Sequence, residues 1–161
     1  MLADRVRMGS GGGKKDLIIL YDNGNIYAEY GRTKNFSKYG EVGTITFNSD
    51  HFHIYTHSYE SIIRAMVGFK LPPNLPTNAK ILVKYFDCSK FYVVLMLSID
   101  ILNSREILLP DDVKYLSEYN SGTGEITITL GDATGYEVVG VMTETQGTTH
   151  NNSFEKLEVI I

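Results

Sequence analysis

The run from Lys80 to Asp100, KILVKYFDCSKFYVVLMLSID, is the most hydrophobic part of the 161-residue chain and restricts the fold more than any other stretch. Its first part, KILVKYF, alternates, with Ile81, Val83 and Tyr85 on one face of a strand and Lys80 and Lys84 on the other. Its second part, FYVVLMLSI, has no polar break before Ser98, which predicts a strand buried on both faces. Asp87, Cys88, Ser89 and Lys90 between them are short and polar. They predict a hairpin turn and hence a β-hairpin at the centre of a sheet.

The rest of the chain reads as strands arranged around this core. DLIILY and IYAEY flank an Asn23-Gly24 turn, a strong hairpin signal because both residues tolerate positive φ. TITF (44–47) and FHIYT (52–56) form a second pair, while Gly31 to Gly43 is polar and rich in turn residues. Ser58 to Val67 fits a helical stripe through Ile62, Ile63, Met66 and Val67, but AMVGFKL also fits a strand running to the Pro72-Pro73 stop; a strand is preferred for this second half. Ile101 to Leu109 reads as one further short strand, and EITITL, YEVVGVM and KLEVII complete the series. Short strands with regularly spaced turns predict an all-β antiparallel sandwich or jelly roll over residues 16–161. Residues 1–15 stand apart as an extended N-terminal arm, an amphipathic head followed by a Gly-rich joint.

A formal net charge of -4 with no basic cluster longer than Lys14-Lys15 argues against nucleic acid as a partner. The single cysteine, Cys88, cannot form an intrachain disulfide, which suits a reducing compartment, and no segment reads as a membrane span or a secretory signal.

Two groups of residues are candidates for a site. His51 and His53 alternate on one strand face with His57 further along, so their imidazoles are candidate metal ligands. The His-x-His spacing resembles the first cupin motif, but Glu60 is too far from His53 and His150 lacks the residues expected before it. Solvent-facing histidines on an edge strand are the preferred reading, and no cofactor is expected. Tyr115 and Tyr119, near Asp111 and Asp112, are candidates for glycan binding, in which an aromatic ring stacks on the sugar's C–H surface and carboxylates take its hydroxyls. The chain has no tryptophan, so tyrosine would have to serve as the platform. No nucleophile elbow, phosphate-cradling loop or zinc helix is present in the sequence, and an enzyme is the least favoured class.

The head MLADRVRMGS resembles the opening of small virion proteins from tailed phages and prophages of Gram-positive bacteria, encoded with the tail and baseplate genes. That resemblance implies a non-enzymatic structural component of a phage tail tip or baseplate, located in the virion and assembled in the host cytoplasm. Other tail proteins would be its partners and a homo-oligomer its form. The arm would add a strand to, or wrap around, a neighbouring subunit, with Leu2, Val6 and Met8 buried and Arg5 and Arg7 paired with acidic groups. A second similarity, in RAMVGFKLPPNLPTNAKILVKYF (64–86), is to β-sandwich modules of surface and carbohydrate-associated proteins. It supports the alternative function, a carbohydrate-binding module recognising host cell-surface glycan.

Overall fold

The computed structural model describes residues 6–7 and 16–161. Eleven strands follow one another as β1 (Val6–Arg7), β2 (Leu17–Asp22), β3 (Asn25–Ile26), β4 (Tyr30–Lys34), β5 (Val42–Phe47), β6 (Phe52–His57), β7 (Ile63–Lys70), β8 (Lys80–Met96), β9 (Val113–Thr129), β10 (Val138–Thr145) and β11 (Thr149–Ile160). One short helix, α1 (Ile99–Ser104), and a single 3-10 turn at Pro110–Asp112 separate β8 from β9. Every pairing is antiparallel, and the architecture is the β-sandwich that the strand pattern predicts.

The Lys80–Asp100 stretch is the organising element, but in a different form from the one expected. It is one strand of 17 residues, not a hairpin. Asp87, with φ at 50°, lies within a shift of register between Tyr85 and Cys88, so the polar quartet makes a bulge that bends the strand without reversing it. The bend lets β8 serve two sheets, with β9 beside it along its whole length. Its first half pairs with β11, which is flanked in turn by β2 and β6, and β5 lies beyond β6. This is the front sheet. Its second half pairs with β10, followed by β7 and β4, forming the back sheet.

Between the sheets lies the main core, in which Ile81, Val83, Phe91, Val93 and Leu95 of β8 meet Tyr21, Phe52, Phe69, Phe154 and Leu157. Phe52 stacks on Phe154 with centroids 5.2 Å apart, and Phe91 meets Phe154 edge-on at 5.0 Å. A second core lies on the outer side of the back sheet, where Met66, Val94, Met96, Val138 and Met142 are covered by Ile99, Leu102 and Leu108. Two cores explain why Val93 to Met96 are all buried: this part of β8 is covered on both sides, as its unbroken apolar run predicts.

The cover is a helix where a strand was expected. Ser98 caps it, its Oγ accepting the Ile101 amide at 3.2 Å, and the i, i+3 pair Ile99 and Leu102 turns into the second core. The Asn23-Gly24 turn is as predicted, with φ of 50° and 91° and Asp22 paired with Asn25 across it. At the N-terminus, Val6 and Arg7 pair with Ile18 and Leu17 of the same chain. The described part of the arm thus adds a short strand to the chain's own sheet, while Leu2, Arg5 and Met8 lie outside the described residues.

Candidate functional site

The outer face of the back sheet changes character along its strands. Beyond Met142 and Val94, where the cover of α1 ends, the outward positions become Arg64 of β7, Glu144 of β10, Lys90 and Tyr92 of β8, and Tyr115 and Glu118 of β9. Tyr92 marks the boundary, packing against the second core on one side and lining an open recess of about 230 Å3 on the other. Lys90, Glu144, Gln146 and His150 also line that recess.

Two tyrosine rings stand on this face, Tyr92 and Tyr115, edge to face with centroids 5.1 Å apart. The Lys90 ammonium lies 5.5 Å from the centre of the Tyr92 ring and 3.6 Å from the Glu118 carboxylate. The Tyr92 hydroxyl, the Asn120 amide and the Lys90 charge hold the Glu118 carboxyl below its ordinary range. Glu144 receives both Arg64 Nε at 2.5 Å and the Tyr115 hydroxyl at 3.0 Å, and Arg64 Nη1 reaches the Leu108 carbonyl at 3.1 Å. Burial, then the charge of Glu144, pushes the Tyr115 hydroxyl up, so it stays protonated and donates. His150 is held below its ordinary value by burial and by the neighbouring Lys90, and is neutral at pH 7.

A buried amide sets the position of Lys90. Asn152 is fully buried on β11; its Oδ1 accepts the Ser89 and Lys90 amides at 3.1 and 3.2 Å, and its Nδ2 donates to the Lys90 carbonyl at 2.6 Å and to Thr143 Oγ1 at 2.8 Å. Three of these four hydrogen bonds pin the end of the β8 bulge, and the fourth ties the amide to β10. The bulge in turn fixes how Lys90 and Tyr92 emerge from the sheet.

Of the residues singled out in the sequence for glycan binding, only Tyr115 joins this patch. Tyr119 faces the opposite way, stacked on Phe91 in the main core with centroids 5.5 Å apart. Asp112 caps the 3-10 turn by accepting the Leu109 amide at 2.8 Å and pairs with Arg105 at 3.0 Å, and Asp111 is exposed beside it. Tyr92 escaped the sequence reading because it lies in an apolar run that reads as core, Lys90 because it reads as part of a hairpin turn, and Glu144 because it falls beyond the YEVVGVM strand.

The histidines lie on the outer face of the front sheet, each with its own partner. His51 Nδ1 meets Asp50 at 2.6 Å and its ring packs edge-on to Phe86, His53 Nε2 meets Asn151 Oδ1 at 3.1 Å, and His57 Nδ1 meets Thr149 Oγ1 at 2.7 Å. Burial lowers the affinity of His53 for a proton. Among the described residues no three His, Cys, Asp or Glu side chains come together as a metal centre requires. A larger recess, about 600 Å3, lies elsewhere, between the loops around Pro72-Pro73 and Ala133–Glu137, with Tyr136 as the aromatic residue that lines it.

Compared with protein families and with curated proteins, the sequence matches none. Solved structures do match. A family 29 carbohydrate-binding module from Piromyces equi aligns over 91% of this chain and 91% of its own, with a TM-score of 0.55 and 9% identity. A point mutant of another family 29 module aligns over 91% and 92% with a TM-score of 0.57, again at 9% identity. A further mutant, solved with cellulohexaose bound, aligns over 91% of both chains at 8% identity and a TM-score of 0.54. The fold is similar to that of family 29 carbohydrate-binding modules. At this identity the likeness is one of fold, and it spans the strand arrangement as a whole. It corrects the function expected from the N-terminal head: the similar structures are named as carbohydrate-binding modules, and the tail-tip role is set aside.

Proposed function

We propose that this protein is a non-catalytic carbohydrate-binding module that holds a neutral glycan on the polar end of the back sheet. One observation carries the reading: two outward tyrosine rings ringed by Lys90, Glu118, Glu144 and Arg64 on an uncovered face of a sandwich of this type. A pyranose has an apolar C–H face and a rim of hydroxyls that both donate and accept. Tyr92 supplies the ring for the former. For the latter, Lys90 and Gln146 donate, and the carboxylates of Glu118 and Glu144 accept. Positive and negative groups are matched, so the surface suits an uncharged sugar better than a sulfated or acidic one.

Binding without cleavage follows from the state of the carboxylates. Glycoside hydrolysis requires a carboxylic acid of raised pKa facing a second carboxylate. Here Glu118 is held ionised, and Glu144 takes Arg64 and the Tyr115 hydroxyl on one oxygen, Oε2, and offers the other to a sugar hydroxyl. Affinity electrophoresis and retention on a panel of neutral polysaccharides test the proposal. Retention of the wild-type chain, lost in Tyr92→Ala, is the expected result. No retention on any polysaccharide of the panel overturns it.

A further inference from the structure

We infer that the binding surface continues beyond the sheet onto a second, preorganised subsite built from Tyr39 and Tyr59, so that the protein holds a run of several units along a glycan chain. This rests on the carbohydrate-binding reading of the Tyr92 recess and extends it.

At the end of the sandwich, the loop before β5 and the β6–β7 loop enclose an open recess of about 540 Å3 lined by Lys38, Tyr39, Glu41, Tyr59 and Glu60. Its chemistry repeats that of the first. Each recess is lined by tyrosine, lysine and glutamate: Tyr92, Lys90 and Glu144 in one, and Tyr39, Tyr59, Lys38 and Glu60 in the other, where Lys38 and Glu60 pair at 3.0 Å. A ligand with a repeating unit is what two neighbouring recesses of one chemistry would accept. Both rings are available, Tyr39 being 100% exposed and Tyr59 65%.

The recesses adjoin. Gln146 lines the first and Glu60 the second, and Gln146 Nε2 donates to the Glu60 carbonyl at 3.1 Å. This hydrogen-bonded pair forms the wall between them, with Ile62, 46% exposed, on the first recess's side.

The second recess is also held in shape by contacts within the chain. Glu41 is buried at 2% exposure, and its carboxylate accepts the amides of Glu60 and Ser61 at 3.1 and 2.8 Å and the hydroxyl of Ser58 at 3.4 Å. Gly40, with φ at +79°, lies under the Tyr59 ring, and a Cβ there would fall 2.5 Å from Tyr59 Cε2. Tyr59 is also steadied by His57, edge to face at 4.7 Å. The β6–β7 loop and the Tyr59 ring, fixed in this way, lose little conformational freedom when a ligand arrives.

The test is a length series by titration calorimetry on the full chain, run with cellobiose, cellotriose and cellohexaose and with the matching series from any other polysaccharide retained in the panel above. The wild-type chain is expected to bind the hexamer about tenfold or more tighter than the trimer. Tyr39→Ala and Tyr59→Ala are each expected to remove most of that gain and leave trimer binding unchanged, whereas Tyr92→Ala weakens both lengths. Tyr39 is fully exposed, so its variant tests the ligand contact without disturbing the fold. Hexamer affinity unchanged in both Tyr39→Ala and Tyr59→Ala overturns the second subsite and leaves the first standing. A wild-type chain that binds no oligosaccharide and is retained by no polysaccharide overturns the carbohydrate reading itself.

Discussion

The outer face of the back sheet is built by the same strands from end to end, yet its two ends serve different purposes. At one end Met66, Met142, Val94 and Met96 lie under Ile99, Leu102 and Leu108 and are excluded from water. At the other, beginning two residues further along each strand, Glu144, Tyr92 and Lys90 are half-covered, while Arg64 stays buried beside them. Arg64 joins the two, its guanidinium held by the Leu108 carbonyl of the cover and by Glu144 of the open patch. The difference teaches that α1 is a partial lid: its short length determines how much of the face becomes core and how much is available as a surface.

The comparison breaks most sharply under truncation of the covered end. Leu102→Ala removes a fully buried side chain and is expected to cost about 2–5 kcal/mol of stability. A shifted denaturation midpoint at unchanged slope would show this, while polysaccharide retention of the folded protein stays as in wild type. Asn152→Ala tests the link between core and patch. It leaves the Ser89 and Lys90 amides without their acceptor, at an expected cost of about 2–3 kcal/mol. Unlike Leu102→Ala it should also weaken glycan binding, because the bulge that presents Lys90 loosens. Equal binding by Asn152→Ala and wild type would show that the bulge is structural only.

Truncation of the open end has the opposite signature. Tyr92→Ala is expected to lower glycan affinity about tenfold or more, or ~1.4 kcal/mol. Its effect on stability should be about 1 kcal/mol, since the ring is only partly packed against the second core. If instead Tyr92→Ala melts the protein like Leu102→Ala and spares binding, the boundary between the two ends is drawn in the wrong place.

The covered end was far more legible in the sequence than the open one. An apolar run such as FYVVLMLSI has few places to go but between two layers, and EITITL alternates in register with its Ile126 and Ile128 inward. Bulges are what spacing cannot reveal. Tyr115 and Tyr119 are four residues apart and should share a strand face, yet a shift of register opposite Val93 and Val94 inserts Leu116 and turns Tyr115 outward while Tyr119 stays in the core. The same effect made Asp87 to Lys90 look like a turn. Tyr92 lay hidden in an apolar run because only the point where α1 stops distinguishes it from Val94, and that is a tertiary fact.

The smallest expected effect concerns pH and separates the loop subsite from the sheet. Hydrogen bonds from the Ser61 and Glu60 amides, with the charge of Lys38 adding to them, hold the Glu41 carboxyl below its ordinary 4.5 despite its burial. A carboxyl whose folded-state pKa is depressed contributes stability that is fully present above its unfolded value and is lost as the pH falls through the folded one. The β6–β7 loop should therefore hold its shape at neutral pH and loosen below about 4.5, with proteolysis in the loop as the measure. Glu41→Gln keeps an acceptor for the amides but loses the charge, so it should flatten this pH dependence and leave the Tyr92 recess unaffected. Loop proteolysis that rises equally below that pH in wild type and Glu41→Gln would assign the acid response to groups elsewhere in the molecule.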